Sequence, residues 1–333
     1  MSWQQMRMMN ICLNILGKGK DRMREEQFQL PSNDGKTQLH CVKWIPDGEI
    51  KAVIQLVHGM AEHIERYRTF AQYLNRQGIL VAGHDHLGHG DSIVSKEEYG
   101  YFAAKNGNRI LVKDIHRVYQ KVRNEYEGVP YILMGHSMGS FLVRQYLCCF
   151  GTGLDGAVVC GTGFQPQWLL KTALGLCRIE AQLFGWHHRS KLFQWMVSGS
   201  YNAAFRPNRT ASDWLCRDEA VVDAYEADER CGFPFTLNGY YNLFLTIYKI
   251  ERKEYLERMP RNLPVLFIAG EKDPVGGCGE GVRKAAALFE EIGMRDVTCR
   301  LYPGARHEIL NEHNKEEVFE DVLDWLEQKQ LIH

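Results

Sequence analysis

The sequence predicts an α/β fold: a mostly parallel central sheet flanked by helices, with a helical cap inserted between core strands. Three observations lead there. Short apolar runs alternate with amphipathic stretches along most of the chain, the rhythm of a parallel sheet covered on both faces. That rhythm lapses once, over residues 164–259, where short helix-like pieces follow one another with no clear strand. And 333 residues are enough to bury one large core.

The elements can be justified in order. "LHCVKWIP" (39–46) alternates as a half-exposed strand does, and "KAVIQLVHG" (51–59) and "ILVAGHD" (79–85) are short apolar runs ending in Gly, His or Asp. Between them "RYRTFAQYLNRQG" carries Phe70, Tyr73 and Leu74 at helical spacing and stops at Gly78. "NRILVKDIHRVYQKVRNEYEG" (108–128) is a longer amphipathic helix, and "VPYILMG" after it is a buried strand leading to a helix over Ser140–Phe150. "LDGAVVCG" (154–161), "LPVLFIAG" (263–270) and "VTCRLYPG" (297–304) complete the strands. The last helix, "KEEVFEDVLDWLEQKQ", lines up Val318, Val322 and Leu326 on one face. The stretch 164–259 holds four of the seven tryptophans, Trp168, Trp186, Trp195 and Trp214.

Residues 1–24 join a small apolar patch, Ile11 to Leu16, to a basic run, Lys18 to Arg24. They read as a poorly ordered leader before a domain over 25–333, too short to span a bilayer but able to lie on its surface. No later stretch qualifies as transmembrane, so the chain reads as cytoplasmic, with a peripheral, transient membrane contact through the cap or the leader allowed. A net charge of -1 offers nucleic acid no basic face. The ten cysteines form no CxxC pair and no Cys/His ligand spacing, so they read as small buried side chains in a reducing compartment, without metal or disulfide.

Chemistry first surfaces at Gly135-His136-Ser137-Met138-Gly139. This G-x-S-x-G run falls at a strand-to-helix junction, where a sharp turn projects the serine oxygen above the sheet edge and the flanking glycines avoid collisions. A serine hydroxyl needs a base, and the base an orienting carboxylate, in the chain order Ser, acid, His. Asp273 in "LFIAGEKDPV" and His307 in "LYPGARHEIL" each follow a strand's carboxyl end. Glu271 is the rival acid, with Asp218, Asp223 and Asp228 less well placed, and His313 is the rival base. An oxyanion needs two backbone N–H donors; Met138, after the serine, and Met60, in the "HGMAEH" turn, are the candidates. His58 and His63 could be taken for metal ligands, but no third ligand comes at a usable spacing. His84, His86 and His89 in "GHDHLGHGDS" read as parts of a tight structural loop.

"HGMAEHIERY", "GHDHLGHGDS", "GHSMGS", "EKDPVGG" and "GARHEILNE" together resemble the α/β-hydrolase fold. Within it they are similar to the monoacylglycerol lipase and lysophospholipase group of serine aminopeptidase-like hydrolases. The resemblance runs from about Phe28 to the C-terminus. It implies Ser137 as nucleophile, Asp273 as acid, His307 as base, the Met60 and Met138 amides as oxyanion hole, and a helical cap over the site. It implies a carboxylic ester hydrolase that cleaves single-acyl lipid esters, monoacylglycerol or lysophospholipid, through an acyl-enzyme and without metal or organic cofactor. The same machinery would serve an aminopeptidase, amidase or transacylase, and a non-catalytic scaffold of this fold is the reading from another class. The apolar cap runs "WLLKTALGL", "AQLFGW" and "LFQWMV", with "GYYNLFLTIY" after them, mostly join cap helices to each other and to the core, and a minority of their side chains would line an acyl pocket.

Overall fold

The computed structural model describes residues 23–333. The expected leader lies outside the described residues, apart from its last two.

Eight strands form one sheet in the order β1-β2-β4-β3-β5-β6-β7-β8. They are β1 (Arg24–Pro31), β2 (Gln38–Ile45), β3 (Ala52–Val57), β4 (Ile79–His84), β5 (Tyr131–His136), β6 (Gly156–Cys160), β7 (Val265–Gly270) and β8 (Val297–Tyr302). The β1–β2 and β2–β4 pairs are antiparallel and the remaining five are parallel. From β3 to β7 every strand residue is buried, which is why these segments read as unbroken apolar runs. β1 carries no such signal. Its "REEQFQLP" is half solvated on the sheet edge, where charged side chains blunt strand pairing with other chains.

The helices relevant to the site are α1 (Arg68–Arg76), α2 (Gly107–Glu125), α3 (Met138–Phe150), α4 (Gln167–Phe184), α5 (Glu219–Ala227), α6 (Leu237–Ile250), α7 (Glu280–Glu291) and α8 (Lys315–Gln328). Two apolar clusters cover the sheet. Phe70, Leu74, Phe319 and Val322 of α1 and α8 pack on one face; Ile115, Tyr146 and Phe289 of α2, α3 and α7 pack on the other.

Between β6 and β7 the chain carries α4, α5 and α6 and, among the described residues, no strand. Arg144 of α3, fully buried, clasps both ends of this stretch. Its Nη1 donates to the Gly163 carbonyl at 2.9 Å and its Nη2 to the Ile250 carbonyl and to Glu251 Oε1, both at 3.3 Å. Asn108 of α2 adds a second tie, its amide N–H donating to Asn242 Oδ1 of α6 at 2.6 Å.

The chain runs from β3 to β4 on one side of the sheet and later to β5 on the other. The carboxyl ends of β3 and β5 therefore flank the point where the winding reverses, the place where open α/β sheets leave a crevice. Val57 pairs with Gly135 there, so the loops that follow both strands leave the sheet side by side.

Candidate active site

Ser137 follows β5 with φ 54° and ψ -121°, a left-handed backbone that a serine adopts only when its surroundings impose it. Those surroundings are explicit. The Ser137 N–H donates to the Cys160 carbonyl at 3.0 Å, and its own carbonyl accepts the Ser140 N–H at 2.8 Å and hydroxyl at 2.6 Å. A β-carbon on Gly139 would collide with the Val57 carbonyl, and one on Gly135 with the Gly139 carbonyl. Both glycines are thus dictated by close approach of the new helix to β3 and β5.

Asp273 and His307 follow β7 and β8. The two loops are zipped together by the Glu271 N–H on the Tyr302 carbonyl and the Lys272 N–H on the Ala305 carbonyl, both at 2.9 Å. The Val275 N–H holds Asp273 Oδ1 at 2.9 Å, leaving Oδ2 for His307 Nδ1, also at 2.9 Å. With a carboxylate accepting at Nδ1, the imidazole carries its proton there and presents Nε2 as a base. The Trp214 and His136 rings lie 5.1 and 4.7 Å from the His307 ring.

Ser137, His307, Met60 and Met138 all line one cavity of about 460 Å³. Met138 opens α3, so its N–H has no carbonyl within the helix to reach. The rivals fall elsewhere. Glu271 is exposed and accepts the Gly304 N–H at 3.2 Å; His313 is exposed, 3.9 Å from Asp218. Asp218 caps α5, Asp223 pairs with Arg209, and Asp228 is held by His63 and Arg230.

Glu62, His136 and Glu308 on the cavity lining belong to a charge network that no single motif announced. Arg66 donates to Glu308 through both terminal nitrogens at 2.7 Å and to Glu62 Oε2 at 2.8 Å. Glu62 Oε1 also accepts the Gly59 N–H at 2.6 Å and the Tyr67 hydroxyl at 2.9 Å, with His136 Nδ1 at 3.4 Å. The other His136 nitrogen is 3.2 Å from the His307 carbonyl. Burial alone would raise the Glu62 carboxyl, but the His136 hydrogen bond and the Arg66 charge outweigh it and hold the group well below the usual range. Burial would likewise raise Glu308, and Arg66 brings it down. Burial opposes charging His136, yet Glu62 lifts its imidazole above the ordinary value. The network ties together the loop after β3, the residue before Ser137 and the residue after His307. The available signal was proximity alone: Glu62, Arg66 and Glu308 all sit inside the quoted motifs.

The cap runs split between two fates. Leu169, Leu170, Ala173, Met196 and Val197 line the cavity with Phe141, Leu243, Phe244 and Ile247. Trp168 (69%), Leu183 (71%) and Trp195 (64%) instead stand in solvent, with Ile179, Phe184 and Leu192.

Among the described residues the candidate groups for a cation are His63, Asp228 and Cys231, and His40, Asp85 and Asp91, each with ligand atoms within 4.8 Å of one another. At the first, the Arg230 guanidinium already supplies positive charge to Asp228. At the second, Asp85 is spent on the Ile64 and Asp91 amides and on His40.

The pattern of serine aminopeptidase S33 hydrolases matches residues 48–314, most of the chain. The chain belongs to that family. A monoglyceride lipase homolog of Monkeypox virus is 35% identical, the match covering 86% of this chain and 94% of the relative. The monoglyceride lipase of Rattus norvegicus is 29% identical, over 85% of this chain and 84% of the relative. Among solved structures, a thermostable carboxyl esterase from Bacillus coagulans superposes with a TM-score of 0.85 at 28% identity, covering 92% of this chain and 99% of that one. The protein is thus an ester-hydrolase-type enzyme of α/β-hydrolase fold.

Proposed function

We propose that the protein is a serine esterase cleaving monoacylglycerol, with Ser137, His307 and Asp273 as its triad. Ser137 Oγ attacks the ester carbonyl as His307 Nε2 takes its proton, and Asp273 stabilises the resulting imidazolium. The Met60 and Met138 amides receive the oxyanion. Collapse expels glycerol, protonated by His307, and leaves the acyl group on Ser137. Water then gives its proton to the same imidazole and releases the fatty acid.

The observation that carries the substrate is the lining of the cavity. Phe141, Leu170, Leu243, Phe244 and Ile247 give the cavity apolar lining, where each buried methylene contributes roughly 0.8 kcal/mol. Among the described lining residues there is no lysine or arginine, while Glu62, Glu226 and Glu308 are present. A phosphate headgroup would meet no cation, so the lining favours a neutral glycerol ester over a lysophospholipid. An aminopeptidase would need a carboxylate for the substrate's amine; Arg66 already engages Glu62 and Glu308, which leaves Glu226 as the lining group such an amine would use.

Among the described residues no helix is long and apolar enough to cross a membrane. The outward apolar face of the cap, with Lys171 and Lys191 beside it, suits transient contact with a lipid surface, from which substrate would enter.

The test is a panel of monoacylglycerols of increasing chain length, lysophospholipids and aminoacyl amides, run with wild type and Ser137→Ala and paired with fluorophosphonate labelling. Chain-length-dependent glyceride turnover and labelling, both abolished in Ser137→Ala, are expected. Preferred cleavage of amides or lysophospholipids would replace the substrate assigned, and absence of labelling would remove the triad.

A further inference from the structure

The histidine-rich loop after β4 has no part in the proposed chemistry, yet its imidazoles are fully buried against the turn that carries Met60. His58 Nδ1 is 2.8 Å from the Gly59 carbonyl, and His58 Nε2 accepts the His86 amide N–H at 2.9 Å. His89 Nε2 accepts the Ala61 N–H at 3.2 Å, and its Nδ1 is 3.0 Å from the Leu87 carbonyl. Each ring therefore faces a carbonyl at Nδ1 and an amide N–H at Nε2. Only the neutral tautomer with its proton on Nδ1 satisfies both.

These bonds determine where an amide points. The Gly59 carbonyl and the Met60 N–H belong to one planar trans peptide and aim in opposite directions. Holding the carbonyl on His58 turns the Met60 N–H away from that ring. The next residue, Ala61, has φ 52°, left-handed for a residue with a β-carbon. It is kept there by His89 on its N–H and by the Tyr225 hydroxyl and the Gly232 N–H on its carbonyl, both at 3.0 Å.

We infer that His89 is a positioning residue for oxyanion stabilisation: its neutral Nε2 pins Ala61, and with it the Met60 amide. The inference rests on the proposed serine mechanism. Phe102, Phe233 and Phe235 lie 5.9, 5.2 and 5.3 Å from the His89 ring, with the His58 and His86 imidazoles at 5.2 and 6.2 Å and the Asp85 and Glu62 carboxylates near enough to act on its charge. Burial pushes its pKa down to about 3, so the acceptor is retained across the working pH range.

The experiment compares wild type, His89→Leu, His89→Gln and Tyr225→Phe on a soluble short-chain ester, with thermal unfolding in parallel. His89→Leu loses the acceptor and should lower kcat about tenfold or more, less than the 10²–10³-fold cost of deleting an oxyanion donor outright. KM should stay within about twofold, and inhibition by a trifluoromethyl ketone, whose adduct carries an oxyanion, should weaken in step with kcat. His89→Gln, whose side-chain oxygen can accept, should recover most of the loss. Tyr225→Phe should show a smaller fall of the same kind. Should His89→Leu not fold, the Tyr225→Phe and His89→Gln pair still decides. An unchanged kcat in a folded His89→Leu or in Tyr225→Phe, or a loss confined to KM, overturns the inference. Wild type that neither labels with a fluorophosphonate nor depends on Ser137 overturns the underlying mechanism instead.

Discussion

Asp273 Oδ2 stands 2.9 Å from His307 Nδ1, and both side chains are closed off from solvent. A carboxylate so placed selects the imidazole tautomer, so Asp273→Asn should leave the shape nearly intact and present the wrong nitrogen to Ser137. A fall in kcat of about 10⁴-fold is expected. Ester turnover and the rate of fluorophosphonate labelling should drop together, with a near-native unfolding midpoint. Retained turnover would remove Asp273 from the triad.

Gly139 admits no β-carbon because the Val57 carbonyl fills that space. Gly139→Ala must push α3 off β3, and a loss of about 3 kcal/mol or more is expected from chemical denaturation. Ser137→Ala, which adds no atom, should be close to neutral in the same measurement.

The Glu62–Arg66–Glu308–His136 network makes stability depend on pH in a defined window. The two carboxyls have lowered folded pKa values, so their contribution is complete above the unfolded value of about 4.3 and is lost as pH falls through the folded ones. His136 is raised, so its contribution is complete below about 6.5 and is lost as pH rises through its folded value. The network should therefore stabilise most between about pH 4.5 and 6.5. Arg66→Met strands two buried carboxylates and should cost about 3–5 kcal/mol at neutral pH. Unlike wild type, it should regain stability as acid protonates them. Thermal unfolding across pH 4 to 8 reads both signs.

Trp168, Leu183 and Trp195 place apolar surface in water on the outside of the cap. Changing all three to serine should leave hydrolysis of a soluble ester within about twofold and reduce binding to phospholipid vesicles by about tenfold or more, given about 1.5–3 kcal/mol for each large apolar side chain fully buried. Equal vesicle binding would show that this face does not meet lipid.

Much of the site was legible because its parts obey local rules. A serine in a strained turn demands glycines on either side, and an acid and a base placed after strand ends need only the alternation of strand and helix to be located. Met60 was reached by the same logic, from the turn after β3, and it lies on the cavity lining. β1 escaped because an edge strand in water needs no apolar period. Arg66 and Glu308 escaped as a pair because 242 residues separate them and nothing local joins a cation to one of 41 carboxylates.

The sequence by itself determined the alternation of elements, the turn at Ser137 and the placing of Asp273 and His307 after strand ends, since each depends on backbone sterics within a few residues. Tertiary structure alone decided which cap side chains face the cavity and which face water, and which carboxylates are neutralised by Arg66. It also decided that, of the four buried histidines His58, His84, His86 and His89, it is His58 and His89 whose rings are hydrogen-bonded at both nitrogens. Those outcomes depend on desolvation, and the water around a side chain is set by neighbours distant along the chain.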